Sequence, residues 1–113
     1  MLVLEDELSR QLEIPIGLCE ARAIKIMLTE EQVPRPITHD LLKTITDQLA
    51  APVNRVVIDD LSHNTYYARL MLNGPDGEIS LDCRPSDGIA LALRAHATIW
   101  ATEDVIRGES HGR

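Results

Sequence analysis

Apolar and polar residues alternate along three stretches in the second half of the chain, and the period changes abruptly after the third. Val53 to Asp60, Thr65 to Leu72 and Glu78 to Cys83 follow the two-residue period of a half-buried strand. His63-Asn64 and Gly74-Pro75-Asp76-Gly77 have the composition of the turns between them. After Asp87 the run Gly88-Ile89-Ala90-Leu91-Ala92-Leu93-Arg94-Ala95 is aliphatic almost all round. A helix of that kind is buried on more than one side. Its small residues, Gly88, Ala90, Ala92 and Ala95, let its axis come close to a sheet. Pro85 suits the first helical turn, where a missing N–H costs nothing. Ser86 and Asp87 can satisfy the orphan amides there, and Asp87 complements the helix dipole. The pattern predicts a central core helix with a charged elbow, Asp82–Asp87, at its exposed mouth.

The first half is read the same way. Leu2 to Leu4 and Leu12 to Ile16 are two short strands joined by the polar segment 5–11. The chain opens inside a strand, which implies an earlier start or a trimmed domain. Gly17 leads into a helix from about Leu18 to Thr29, with Ala21, Ile24, Met27 and Leu28 at helical spacing. Pro34 and Pro36 make the next segment a loop. Thr38 is the expected N-cap of a helix over His39 to Ala50, whose stripe is Leu41, Leu42, Ile45 and Leu49. Thr98 to Ala101 is a last strand, and Thr102 caps a final turn over Glu103 to Ile106. The polar tail 107–113 is expected to fray. The result is an α/β (α+β) chain: one domain over 1–106, mixed and antiparallel sheets packed around a central aliphatic helix, and two further helices.

The turns also fix a register. A loop at Gly74–Gly77 sets Asn73 opposite Glu78, Leu70 opposite Leu81, Arg69 opposite Asp82 and Tyr67 opposite Arg84. A turn at His63-Asn64 sets Ser62 opposite Thr65, Asp60 opposite Tyr67 and Asp59 opposite Ala68. Side chains alternate along a strand. One face then carries Val57, Ala68, Leu70, Leu72, Ile79, Leu81 and Cys83 as core. The other carries Asp60, Tyr67, Arg69, Asp82 and Arg84 at one end, with Val56, Ile58 and Met71 further along.

Composition narrows the function. With 113 residues the chain builds one modest core, and with no Phe and 3% aromatics that core is aliphatic. A net charge of −7 excludes a general nucleic-acid coat protein, which needs a basic face, but leaves room for a local basic cleft. Cys19 and Cys83 form no zinc-type cluster. Reduced thiols and no visible signal peptide make the cytoplasm the expected compartment. No apolar run reaches membrane-spanning length.

Four motifs in order then carry a resemblance: Thr38-His39-Asp40-Leu41-Leu42, Val56-Val57-Ile58-Asp59-Asp60-Leu61, Tyr67-Ala68-Arg69-Leu70, and Asp82-Cys83-Arg84-Pro85-Ser86-Asp87-Gly88-Ile89-Ala90-Leu91-Ala92. Together with Pro15-Ile16-Gly17, Glu20-Ala21 and Ala23-Ile24, the chain resembles the bifunctional nuclease domain family from about Leu2 to Ile106. The resemblance implies an α/β domain with mixed sheets, commonly self-associating, and a nuclease label covering DNA and RNA drawn from plant members; the aliphatic composition and open strand edges point to a homodimer or higher homo-oligomer. Three features depart from the family pattern: Pro15 stands for a usual Trp, Leu18-Cys19 for a usual Pro-Phe, and the usual first strand is missing ahead of Met1. They bear on assembly more than on the elbow.

Under that resemblance the expected site is His39, Asp40, Asp60, Asp82, Arg84 and Asp87. Asp60 and Asp82 would hold Mg²⁺ or Mn²⁺. Arg84 would steady phosphate bidentately, and His39 would shuttle a proton. Spacing alone does not bring His39 and Asp40 to the sheet; the resemblance does. No organic cofactor is expected. Each residue also has a structural reading. Asp82 can pair across strands with Arg69, Asp87 and Asp40 can cap helices, and His39 can be an exposed helix-start residue. The alternative function is therefore a non-catalytic binding or assembly module.

Overall fold

The computed structural model describes residues 1–109. Its elements run β1 (Leu2–Glu5), β2 (Gln11–Ile14), α1 (Leu18–Leu28), α2 (Thr38–Gln48), β3 (Val53–Ser62), β4 (Thr65–Gly74), β5 (Gly77–Cys83), α3 (Pro85–Arg94), β6 (Thr98–Ala101) and α4 (Glu103–Ile106). β1 and β2 form an antiparallel pair, and the larger sheet has the order β5-β4-β3-β6. β6 returns parallel to β3, with α3 as the crossover. The fold is the expected α/β type, with α3 at its centre, packed against α1, α2, β3, β4 and β6.

α3 is seated by its small residues. Ala90 and Ala92 are fully buried, and Ile89 and Leu91 nearly so. Burying each of those large side chains stabilises the fold by about 1.5–3 kcal/mol. A Cβ at position 88 would lie 2.5 Å from Val56 Cγ2 and 3.0 Å from Cys83 Sγ. Gly88 therefore sets how near the helix lies to the sheet.

The register across β4 and β5 follows the sequence expectation: Asn73↔Glu78, Leu70↔Leu81 and Arg69↔Asp82. The loop itself is shorter, because Gly74 pairs with Gly77 and leaves Pro75-Asp76 as the turn. Ser62↔Thr65 and Asp60↔Tyr67 also hold. His63 and Asn64 both have positive φ, 52° and 62°, which suits a tight hairpin whose twist matches its strands.

Several expectations are corrected. The register slips between Ile58 and Asp60, so Ile58 rather than Asp59 faces Ala68. This bulge puts Val56 and Ile58, both fully buried, on the core row in place of Val57. β5 ends at Cys83, and Arg84 is the N-cap of α3, so it does not face Tyr67. Ile79 and Leu81 are exposed, because α3 meets β5 at Cys83 and does not pack extensively along the strand. α1 buries Ala23, Ile24 and Ile26 and leaves Leu28 exposed, so its buried stripe is turned from the expected one. Ile37, not Thr38, is the N-cap of α2. The α2 stripe is not core: no α2 residue is buried, and Leu41 and Leu49 are 55% and 70% exposed. The tail expectation reaches beyond the described residues after position 109; before it, Arg107 pairs with Asp104 and Glu109.

Gly88→Ala should test the helix seating. Added helix propensity favours alanine by about 1 kcal/mol. Overpacking against Val56, which has nowhere to move, costs about 1–3 kcal/mol. A net loss of up to about 2 kcal/mol in urea unfolding is expected, and a gain of about 1 kcal/mol, the helix propensity alone, would contradict the close seating.

Candidate functional site

The charged residues gather where three helices meet. Pro85 occupies the first turn of α3 and fixes its φ, and Arg84 before it is extended, with φ −70° and ψ 144°. This geometry folds Arg84 back over its own helix. Its Nε donates to Asp87 Oδ2 at 2.9 Å and its Nη2 to Asp87 Oδ1 at 3.3 Å. Nη1 donates to Glu20 Oε1 at 2.9 Å. Glu20 lies in the first turn of α1, turned back over Gly17, where a Cβ would stand 2.5 Å from its Oε2. From α2, His39 Nε2 lies 2.9 Å from Asp87 Oδ1. Glu20, Arg84, Asp87 and His39 thus form one continuous hydrogen-bonded chain across α1, α3 and α2.

Asp40 anchors the same turn of α2. Its Oδ2 accepts the Ile37 N–H at 2.9 Å, and its Oδ1 accepts Arg94 Nε at 2.6 Å. Arg94 lies seven residues after Asp87, two turns along the same helix face. Its side chain is 4% exposed and runs back along α3, donating to the Ala90 carbonyl at 2.8 Å. Nη2 of Arg94 is buried with no hydrogen-bond partner among the described residues. A buried guanidinium is tolerated only when paired, so Asp40 is held in place by the cost of separating the two.

The charges tune one another. Burial pushes the Asp87 carboxyl up, but hydrogen bonds from Arg84 and His39, with the Arg84 charge, outweigh it and hold it below its ordinary 3.8. Asp40 is likewise lowered: burial opposes, and the Ile37 N–H and Arg94 prevail. Glu20 is lowered by its own backbone N–H and by Arg84. Arg84 is raised by the hydrogen bonds it donates to its two carboxylates, Asp87 before Glu20. Because Asp87 is ionised, it can only accept, so His39 Nε2 carries the proton and Nδ1 is the basic nitrogen.

Of the residues expected from sequence, His39, Asp40, Arg84 and Asp87 are therefore brought together, while Asp60 and Asp82 lie on strands β3 and β5. Asp60 is 1% exposed, and its Oδ1 accepts the Leu61 N–H at 2.8 Å. Asp82 lies on the exposed β5 strand opposite Arg69, which also sits 3.9 Å from Asp59. β4 runs between Asp60 and Asp82, and they are offset by two residues. No group of three or more His, Cys, Asp or Glu residues among the described residues is arranged to hold a metal ion.

Glu20 and Arg94 were not singled out from sequence as site residues. The available signals were a charge on an otherwise aliphatic helix, seven residues after Asp87, and a carboxylate three residues after a helix-opening glycine.

A cleft of about 280 Å³ opens beside the chain of charges, bounded by Pro15, Gly17, Glu20, Tyr66, Arg84 and Ser86. No helix among the described residues is long and apolar enough to cross a membrane.

Comparison with known proteins gives a consistent family. The sequence model of the bifunctional nuclease domain matches residues 2–112. An uncharacterized protein of Mycobacterium tuberculosis (strain ATCC 25618 / H37Rv) is 38% identical over 106 residues, covering 94% of this chain and 63% of that protein. Bifunctional nuclease 1 of Oryza sativa subsp. japonica is 33% identical over 103 residues, covering 87% of this chain and 31% of the relative. Bifunctional nuclease 1 of Arabidopsis thaliana is 32% identical, covering 87% and 32%. The chain thus spans less than two thirds of these relatives' lengths.

The lowered Asp87 carboxyl gives a pH test. Such a group stabilises the fold above 3.8, and that contribution is lost as pH falls further and the folded carboxyl takes its proton. Urea unfolding followed from neutral pH downward should show wild type losing stability more steeply below that value than Asp87→Asn. Equal slopes would mean that Asp87 is not held by Arg84 and His39.

Proposed function

The chain belongs to the bifunctional nuclease domain family, and from that premise we propose that it hydrolyses phosphodiester bonds of DNA or RNA. The observation carrying the proposal is the 2.9 Å contact between His39 Nε2 and Asp87 Oδ1, made by residues 48 positions apart and flanked by Arg84. In this reading His39 Nδ1 takes the proton of an attacking water, and Asp87 orients the ring and stabilises the imidazolium that forms. Arg84 meets the charge developing on phosphate. A guanidinium has five N–H donors. Three are used on Asp87 and Glu20, and the side chain is 65% exposed, so two remain for phosphate oxygens. Asp40 and Arg94 do not touch substrate; they hold the first turn of α2 so that His39 stays on Asp87.

Compartment and self-association complete the proposal. Cys19 is an exposed free thiol, which suits a reducing cytoplasm. The exposed stripe on α2 supports self-association.

A second reading, a non-catalytic binding module, is favoured by one feature. Each carboxylate of the cluster, Glu20, Asp40 and Asp87, already has a cationic partner, as structural ion pairs do. Cleavage of labelled single- and double-stranded DNA and RNA by purified protein, in Mg²⁺, in Mn²⁺ and in chelator, separates the two. The nuclease reading expects His39→Ala and Asp87→Asn, both folded, to lose about 10²–10⁴-fold in rate. No cleavage by folded wild type under any condition would leave the binding module in its place. Equal cleavage by wild type and variants would move the chemistry to other residues.

A further inference from the structure

We propose that the groove between the β1–β2 hairpin and β6 receives an extended basic polypeptide segment, which adds as a strand to the open edge of β6. This interaction surface is separate from the His39–Asp87 site and does not depend on the nuclease reading. The groove encloses about 720 Å³. All four consecutive residues of β6 line it, so it meets the strand along its edge and not at one face alone. β6 is the outer strand of its sheet. Among the described residues, the backbone of Thr98–Ala101 hydrogen-bonds only to β3. An edge strand of this kind presents N–H and C=O groups ready for one more strand.

The groove also states what it would accept. Leu4, Leu12, Ile99 and Ile106 give it apolar walls for alternate side chains of an incoming strand. Trp100 is 56% exposed, with its ring fixed by Nε1 donating to Thr98 Oγ1 at 2.7 Å. The polar lining is acidic: Glu5, Asp6, Glu7 and Glu103 stand against one cation, Arg10. Arg10 is already used, on Asp6 at 2.7 Å and on Glu103 at 2.8 and 3.2 Å. Glu5 and Glu7 have no cationic partner among the described residues. A lysine- or arginine-bearing segment complements this field. A nucleic acid would be repelled by it, and two copies of the chain meeting edge to edge would oppose like charges.

Trp100 is the only tryptophan, so its emission reports on the groove. The full chain is titrated with the peptide acetyl-Lys-Val-Thr-Val-Arg-Val-Lys-amide, and the amide resonances of Thr98–Ala101 are recorded in the same titration. A saturable blue shift with movement of those amides is expected. A peptide with glutamate in place of its basic residues should bind at least about tenfold more weakly. Glu5→Gln with Glu7→Gln should weaken binding several-fold and flatten its salt dependence. Methylating alternate backbone nitrogens on one edge of the peptide should abolish binding, and on the other edge should not. The proposal is overturned if neither the emission nor the amides move. It is equally overturned if the glutamate peptide binds as well, or if both methylated peptides bind alike.

Discussion

The close seating of α3 on the sheet is the constraint from which the rest of the structure follows. Position 88 has no room for a Cβ between Val56 and Cys83, and Ala90 and Ala92 are fully buried along the same helix. Interiors are close-packed, so a helix lodged this tightly has one depth and one direction. That direction sends its first turn out beyond the end of β5, where Arg84 and Asp87 meet Glu20 of α1 and His39 of α2. It also sends Arg94 back toward Asp40. The apolar half of the helix therefore fixes where the polar residues can stand.

Electrostatics then selects the protonation pattern. Two cations, Arg84 and Arg94, each bind a carboxylate of the cluster, and Arg84 binds two. Carboxylates in such company stay ionised, so they orient neighbouring groups and do not themselves donate protons. The same economy of charge weakens the case for a strong nucleic-acid surface. Most of Arg84's positive field is already compensated, and only its two remaining N–H donors face outward chemistry.

Much of this was legible in the sequence because it depends on local patterns. Two-residue alternation and turn chemistry gave the β3–β4 and β4–β5 pairings, and the small-residue run gave the central helix. Three things were not legible. The bulge at Asp59 carries no turn signal of its own, yet it exchanges Val57 for Val56 and Ile58 on the core row. The α2 stripe has the period of a core helix, but α2 meets α3 and β3 without burying any of its residues, and periodicity reports amphipathicity without saying what covers it. Asp60 and Asp82 belong to the same motif set, but adjacency in the register does not give distance when a strand lies between them. Glu20 and Arg94 act across tertiary contacts that no spacing within a single element reveals, although the i, i+7 relation of Asp87 and Arg94 was visible.

The central claim is that an ionised Asp87 holds His39 through Nε2–H and leaves Nδ1 as the basic nitrogen. Imidazole ¹⁵N chemical shifts of His39, assigned in the intact protein with its ring neutral, test this directly and without substrate. A protonated Nε2 and an unprotonated Nδ1 are expected, with both shifts moving toward the tautomeric average in Asp87→Asn. A protonated Nδ1, or averaged shifts already in the wild-type protein, would contradict it.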